Sequence, residues 1–495
     1  TNYLQTVPKD ALEKMIWAEA DKLGWFINTV TEPVLAKEKQ VVKNEKRQSV
    51  DNRPYGHNQY VIGKNLYPKD HPYNWQVIGS LEDLQNATLN DVKTFFRKWY
   101  VPNNATLVLS GDLDIVQATK WVKKYFDEIP RGDEIIPLEK RPGIVTETKH
   151  LYYEDNFARV PQLTMVWPTV ESYHPDSYAL EVLAEYLTSG KSAPMNQVLV
   201  DDLKLTSNTS MFNYISELAG QTQLSVRAFK DKKLDEVKAG IEKAFAKFEK
   251  EGISEKELNR IKAGQETSFY SSLSSVLGKG TRLASYNTYT GNPGFVTEDI
   301  NNTLAVTTDD VKRVYNKYIK DKNYIATSFV PKSSVELALS GSKLADVVEE
   351  KIVIGAEEKF NPKIAATYKK TPSTFDRSIE PPYGETPSLK VPKVYTNELE
   401  NGLKIFGIEN NEVPLIRFNL TIKGGQLLES INKLGVANLT AGLLNKGTKN
   451  KTVKELEEKI QELGAYISIY SDKENITISG TTLSKNYDKT LALAK

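Results

Sequence analysis

The sequence predicts an α+β protein made of repeated domains, each with a mainly antiparallel sheet packed against helices. Two observations lead to this fold class. Helical and strand-like hydrophobic patterns alternate irregularly along the 495 residues, not in the strict order that a parallel sheet requires. One segment also recurs about 220 residues later, and a repeat of that length corresponds to a whole domain and not to the short unit of a solenoid.

The repeat relates Thr88–Leu109 to Thr307–Ser328. Each copy begins with a threonine that can cap a helix, continues as an amphipathic helix and a turn, and ends in a β-rich stretch. The predicted strands are Ala105–Ser110 and Tyr324–Val330. The identical positions are Thr88/Thr307, Asp91/Asp310, Val92/Val311, Lys93/Lys312, Lys98/Lys317 and Asn104/Asn323.

A weaker correspondence relates the two ends of the chain. Tyr3–Trp17 resembles the stretch that begins at Ser479, with strand residues followed by a helix in both. We therefore expect the chain to start inside one domain copy and to stop inside another.

The repeats and a proline-rich stretch divide the chain into four parts. We expect a partial first domain at 1–140, a complete second domain at 150–345, a linker at 356–393 and the start of a third domain at 394–495. Proline fixes φ and lacks an amide hydrogen, so we expect the linker to be stiff and extended and not a packed element. Its prolines are Pro362, Pro372, Pro381, Pro382, Pro387 and Pro392.

Composition excludes several classes of protein. Lys and Arg total 65 against 64 Asp and Glu, a net charge of +1, which excludes a generally basic nucleic-acid binder. No apolar run reaches about 18 residues, so we expect no transmembrane helix. No signal-type stretch follows Thr1, so we expect any targeting segment to have been removed or never included. The absence of cysteine excludes disulfides and thiolate sites, and it favours an exported bacterial protein of the periplasm or cell envelope.

The segment Thr31–Gly56 is the most informative part of the chain. Thr31 and Pro33 predict the start of a helix, and the turn at residues 52–56 predicts its end. Apolar residues at helical spacing place two carboxylates, Glu38 and Glu45, on the face that we expect to be buried. The apolar positions are Val34, Leu35, Val41 and Val42, and the lysines expected on the wet face are Lys37, Lys39, Lys43 and Lys46.

Burying an ionised carboxylate without a partner costs several kcal/mol, so we expect a cation, such as a metal ion, to face this pair. The alternative is that both acids lie at the edge of the buried face and pair with Lys or Arg. The histidines form no i,i+4 pair, and each is expected to be a surface or capping residue; they are His57, His71, His150 and His174. Residues 278–281 lack the spacing of a P-loop and are expected to form a loop.

A family resemblance follows from these segments. Val41–Gly56, VVKNEKRQSVDNRPYG, resembles the segment that carries the third zinc ligand in the pitrilysin/insulinase peptidases, whose metal motif is an inverted H-x-x-E-H. His71–Asp114 resembles a later segment of that family's first domain, and Asn397–Gly480 resembles the start of a further copy. The internal repeat carries the resemblance into the middle of the chain.

The resemblance implies pitrilysin-type domains, four in number, arranged in two halves that close like a clamshell on a peptide or unfolded polypeptide. It also implies a zinc endopeptidase in which two histidines and one glutamate hold Zn²⁺. Carried over by position, Glu45 matches the zinc-binding glutamate, and Glu38 matches an acid that orients a zinc-bound histidine.

The sequence departs from the family pattern because H-x-x-E-H is absent. In the third-domain copy Asn438, Ala441 and Gly442 stand where His, Glu and His would, as in a degenerate half. The motif of the first domain is expected to precede Thr1, so the two histidine ligands are not in this chain. We therefore expect a catalytically incomplete part of a peptidase, completed by the rest of its own chain or by a paired homologous subunit. The alternative is a non-catalytic, peptidase-like partner or peptide-binding scaffold.

Overall fold

The computed structural model describes residues 1–348, 367–388 and 391–494. In chain order these form a helical first region (1–148), a second region built on a six-stranded sheet (149–345) and a third region with two small sheets (391–494). Part of the predicted linker, including Pro362, lies outside the described residues. The α+β fold class is confirmed, whereas the exact domain boundaries stay a prediction.

The first region consists of helices and turns and contains no strand. The predicted strand Ala105–Ser110 was wrong, because a strand needs a hydrogen-bonded neighbour and none pairs with these residues here. The helices are α1 (Leu12–Gly24), α2 (Glu32–Lys46), α3 (Asn58–Leu66), α4 (Leu81–Asn86), α5 (Leu89–Trp99) and α6 (Ile115–Phe126).

The sheet of the second region has the strand order β3-β4-β2-β5-β1-β6. The pairs from β3 to β5 are antiparallel, whereas β1 runs parallel to both β5 and β6. The predicted strand Tyr324–Val330 is confirmed with a shift of one residue. The strands are β1 (Lys149–Asp155), β2 (Gln162–Thr169), β3 (Thr206–Ile215), β4 (Gly220–Ala228), β5 (Ile325–Pro331) and β6 (Lys343–Leu344).

Seven helices accompany this sheet. Residues 278–281 were predicted to be a loop but lie in the first turns of α11, where the Ser275 hydroxyl accepts the Gly278 amide at 3.0 Å and caps the helix. The helices are α7 (Pro175–Thr188), α8 (Pro194–Asn196), α9 (Leu234–Glu251), α10 (Glu255–Ser272), α11 (Val276–Thr290), α12 (Val296–Ala305) and α13 (Thr308–Tyr318).

Both faces of the sheet are covered. Residues of α7, α9 and α13 form the main core with one face. On the other face α3 of the first region places Ile62 and Leu66 against Val166 and Ile325. The buried Asn58 side chain ties α3 to the sheet through hydroxyls of β2 and β5. Because both faces are covered, β2 and β5 are buried almost throughout instead of alternating.

The third region packs on the second through α15 and α10. The buried Arg260 guanidinium donates to Gln461 Oε1 at 2.6 Å, and Thr267 Oγ1 donates to the Gly464 carbonyl at 2.7 Å. No helix in the described ranges is long and apolar enough to cross a bilayer. The elements are a hairpin of β7 (Val394–Glu398) and β8 (Lys404–Ile408), a sheet of β9 (Leu415–Lys423), β10 (Tyr466–Ser471) and β11 (Asn475–Leu483), and the helices α14 (Val436–Leu444), α15 (Val453–Glu462) and α16 (Tyr487–Ala494).

The proline-rich segment does not hang free between regions. At residues 371–384 it crosses α1 and α6, so the prediction of an unpacked connector was wrong there. Arg377 places its guanidinium 3.0 Å from the centroid of the Trp25 ring and donates to the Tyr125 carbonyl at 2.9 Å. Phe375 joins the small apolar core around Tyr125. The residues between the prolines therefore anchor the segment to the first region.

Candidate metal centre

Helix α2 carries both candidate acids. It begins after Thr31 with Pro33 in its first turn, where the missing amide hydrogen of proline has no cost. It runs to Lys46 and passes into a π-helical turn, Arg47–Asp51, before the turn at residues 52–56. The predicted bounds of the helix are confirmed.

The face of α2 that holds Glu38 and Glu45 is exposed, and the prediction that it is buried was wrong. Val34 and Val41 lie on the same face and are 44% and 48% exposed. Seven residues are close to two helical turns, so Glu38 and Glu45 do share a face, about 10 Å apart along the axis. The two acids are thus presented together, but to solvent.

The opposite side of α2 is covered because its lysines find acceptors. Lys43 and Lys46 are only 7% and 8% exposed. Lys43 Nζ donates to Gln85 Oε1, and Lys46 Nζ donates to Asp51 Oδ1 at 2.8 Å. A lysine can bury its aliphatic stem when the ammonium group keeps a partner, and the spacing of apolar residues does not reveal this.

Neither the Glu38 nor the Glu45 carboxylate has a hydrogen bond or an ion pair among the described residues. The alternative interpretation, in which each acid pairs with Lys or Arg, is therefore not what the structure has. No three His, Asp or Glu side chains come together as a ligand group in the same ranges. The residues described do not fit a zinc ion by themselves, because a catalytic zinc takes three protein ligands and Glu45 offers one.

The histidines serve other contacts. His174 caps α7, as predicted for a capping residue, and its Nδ1 accepts the Asp176 amide at 3.0 Å. His71 is fully buried and not on the surface. Its Nδ1 accepts the Tyr73 amide, and its Nε2 lies 3.0 Å from the Arg141 carbonyl oxygen. Burial lowers the pKa of the His71 imidazole, which favours the neutral form of a ring held by backbone groups.

A buried charged cluster directly follows Glu45 and was missed in the sequence. Asp51 Oδ1 accepts from Lys46 and lies 3.9 Å from Nε2 of the buried His57. The π-helical turn brings residue 51 back to residue 46, five positions earlier, which an α-helix does not do. This cluster fixes the end of the helix that presents Glu45. The available signal was an acid five residues after a lysine, just before a proline turn.

The third-region positions that match the His, Glu and His of the H-x-x-E-H motif lie on α14. Ala441 is buried, whereas Asn438 and Gly442 are exposed. None of the three side chains is an imidazole or a carboxylate, so this helix offers no ligand of the kind that zinc prefers.

Two segments match known families. Residues 86–265 match the family described as "Peptidase M16 inactive domain", and residues 406–494 match "Insulinase (Peptidase family M16)". Together they cover a little over half of the chain.

Individual relatives agree with these matches. Zinc protease PqqE of Helicobacter pylori is 27% identical over 324 residues, which are 65% of this chain and 72% of that protein. The crystal structure of a protease from Helicobacter pylori superimposes with a TM-score of 0.60 at 25% identity, covering 65% of this chain and 77% of that one. The periplasmic protease PqqL of Escherichia coli shares the fold at 16% identity with a TM-score of 0.55; it covers 99% of this chain, which spans 55% of that protein.

Fold and similarity together define the chain as a peptidase-type protein of related α+β domains. It belongs to the pitrilysin/insulinase family, M16, as the sequence resemblance predicted. Homologues in the family are named zinc proteases, while one of the two matched segments is described as an inactive domain.

Proposed function

We propose that this protein is part of a zinc-dependent endopeptidase of the pitrilysin/insulinase type, which hydrolyses peptides or unfolded polypeptides in an enclosed chamber. The observation that carries the proposal is the exposed face of α2, which presents two carboxylates without a partner, about 10 Å apart along the axis, in a chain whose relatives are named zinc proteases. A carboxylate without a partner offers oxygen ligands to a cation.

Within this proposal the two acids have different roles. Glu45 lies at the end of α2 that the buried Lys46–Asp51 ion pair fixes, and we assign it as one protein ligand of the zinc ion. Glu38 lies about 10 Å earlier along the axis, too far to bind the same ion with the same geometry. Its proposed role is to hold a zinc-bound histidine in orientation.

The remaining ligands come, in this proposal, from outside the described residues. Either the remainder of a longer chain or a paired homologous subunit would supply the two histidines and the general base. Such a zinc ion would activate water for attack on the peptide bond. We also propose a bacterial periplasmic or cell-envelope location, which the absence of cysteine supports.

A second candidate function is a non-catalytic, peptidase-like scaffold that binds polypeptides. The observation that favours it is the match of residues 86–265 to a domain described as inactive, together with the lack of a three-residue ligand group in the described ranges.

Cleavage of an unfolded polypeptide by the natural protein, with and without a chelator, tests the choice between the two. The proposal predicts cleavage that stops on chelation and returns with Zn²⁺, and that is lost in Glu45→Gln. Glu32→Gln, an exposed acid on the same helix, is the matched control and should keep full activity. Binding of the polypeptide without any cleavage would favour the scaffold.

A further inference from the structure

A cavity of about 620 Å³ lies in the second region, away from the residues of α2. Its walls come from the loop after β2, the end of α11, the helix α12 and the first turns of α7 and α13. Lys140, from the segment between α6 and β1, also lines it. This volume is within the range of about 300–1,000 Å³ that small ligand sites occupy.

Aromatic rings form much of the cavity wall. Tyr173 lies with its ring centroid 5.5 Å from that of Phe295 and 6.3 Å from that of Tyr289, and Tyr178 completes the set. Tyr289 is 43% exposed and makes no hydrogen bond through its hydroxyl in the described residues. The wall thus offers ring surface to a ligand.

The backbone at Tyr173 is strained. Its φ is +61°, a left-handed conformation that costs a bulky residue about 1–3 kcal/mol. Packing of its ring against Tyr286, Tyr289 and Phe295 holds it there. Burial, and then the nearby Asp299 carboxylate, raise the pKa of Tyr173, so the ring is a neutral phenol. Strain of this kind concentrates at ligand sites, where the surrounding structure fixes a side chain in advance.

The charges around the cavity are paired with one exception. Lys140 pairs with Glu171 at 3.2 Å, and Arg313 pairs with Asp176 and Asp310. The buried Asp299 carboxylate accepts hydrogen bonds from the hydroxyls of Tyr178 and Tyr286 and lies 3.3 Å from the Arg282 guanidinium.

Glu298 is the exception. It lines the cavity, is exposed, and has no hydrogen bond or ion pair among the described residues. The lining therefore carries an uncompensated negative charge beside tyrosine rings. A ring face and a carboxylate both attract a cation, and neither attracts an anion.

We propose that this cavity binds the side chain of a lysine or arginine in an extended polypeptide, with the cationic group between the tyrosine rings and Glu298. The inference rests on the proposed function only for the polypeptide character of its ligand. It does not depend on zinc, on Glu45 or on cleavage.

Calorimetric titration of the full chain with capped pentapeptides Ala-Ala-X-Ala-Ala tests this. With X as lysine the peptide should bind, with X as norleucine about 10-fold more weakly, and with X as glutamate not measurably. Glu298→Gln should weaken the lysine peptide by about 3- to 10-fold and leave the norleucine peptide unchanged. Tyr289→Ala should weaken the lysine peptide by about 2- to 30-fold, and Tyr289→Phe should not.

Glu236→Gln and Tyr214→Ala are controls, because each removes an exposed residue of the same type from the second region but outside the cavity. Equal affinity for the lysine and norleucine peptides, or unchanged affinity in Glu298→Gln and Tyr289→Ala, would overturn the proposal. Glu45→Gln should bind the lysine peptide like the unmodified chain. Binding that depends on Glu298 in a protein without peptidase activity would support this site while the proposed function fails.

Discussion

The two copies of the repeated segment have the same local structure in different surroundings. Both α5 in the first region and α13 in the second begin with a capping box, Thr88 with Asp91 and Thr307 with Asp310. Yet α5 buries no residue, and its Phe95 is 60% exposed. In α13 the buried residues are Val311, Val314 and Tyr315.

The segments after these helices differ in the same way. Residues 105–110 form no strand, whereas β5 is paired with β1 on one side and β2 on the other. A capping box needs only two bonds between residues three positions apart, so the sequence makes it wherever it recurs. A strand and a buried helical face need partners from elsewhere, so the same sequence pattern gives different packing in the two regions.

The largest expected effect comes from an anchor that only α13 has. Asp176 of α7 accepts from Arg313, Lys317 and Tyr318 of α13 at 2.6–2.8 Å. Lys317 and its counterpart Lys98 each lie over the ring of the following residue, but Lys98 has no carboxylate partner in the described ranges. Asp176→Ala should destabilise the second region by about 2–3 kcal/mol, measured by urea unfolding.

The pH dependence provides a check on that anchor. Burial alone would raise the pKa of Asp176, but the hydrogen bonds from Lys317, Tyr318 and Arg313 hold it well below its usual range. The stabilisation is therefore fully present above the pKa that Asp176 has in the unfolded chain. It is lost as the pH falls from there through the lower pKa of the folded protein. An Asp176→Ala protein whose stability matched the parent at neutral pH would show that the anchor contributes nothing.

A matched pair of valines gives the next largest effect. Val311 is 0% exposed in the main core, while its counterpart Val92 is only partly buried. Val311→Ala removes two buried methyl groups and should cost about 2 kcal/mol, whereas Val92→Ala should cost well under about 1 kcal/mol. Thermal unfolding of both variants measures the difference, and equal losses would contradict the contrast between the two helices.

A smaller, pH-dependent effect is expected from Glu185, a partly buried acid, and not from an exposed one. Burial raises the pKa of Glu185 on α7 to about 7, against the opposing effects of Gln265 and Arg260 and with a small contribution from Glu181. The folded protein then holds the proton more tightly, so stability is highest below pH 4.5 and falls as the pH rises to about 7.

Glu185→Gln should therefore stabilise the protein by about 1–2 kcal/mol at pH 8 and by almost nothing at pH 4. Glu45→Gln, which removes an exposed acid, is the matched control. The midpoints of urea unfolding at pH 8 and pH 4 measure the two effects. A Glu185→Gln protein whose stability depends on pH as the parent's does would contradict the raised pKa of Glu185.

Local signals made much of the fold predictable. The threonine caps of α5 and α13 and the bounds of α2 follow from residues close in sequence. What failed depended on distant partners. The segment at 105–110 forms no strand because no other strand pairs with it. The proline-rich segment packs because the Arg377 guanidinium lies over the Trp25 ring, some 350 residues away in the chain.

The candidate site was predictable in its residues but not in its exposure. The seven-residue spacing of Glu38 and Glu45 places them on one face of α2, whatever surrounds the helix. Which face is covered was decided by Gln85 and Asp51, which accept from Lys43 and Lys46. Hydrophobic periodicity treats lysine as a surface residue and cannot anticipate such acceptors.

The zinc content of variants of the natural protein, measured by plasma mass spectrometry, tests the central claim about α2 most directly. The account predicts that Glu45→Gln loses zinc and that Glu38→Gln keeps it at saturating metal while losing about 10- to 100-fold in activity. The 495-residue chain by itself should hold no stoichiometric zinc. A fully loaded Glu45→Gln with an empty Glu38→Gln would reverse the two roles, and zinc with full activity in both variants would contradict a metal role for this face.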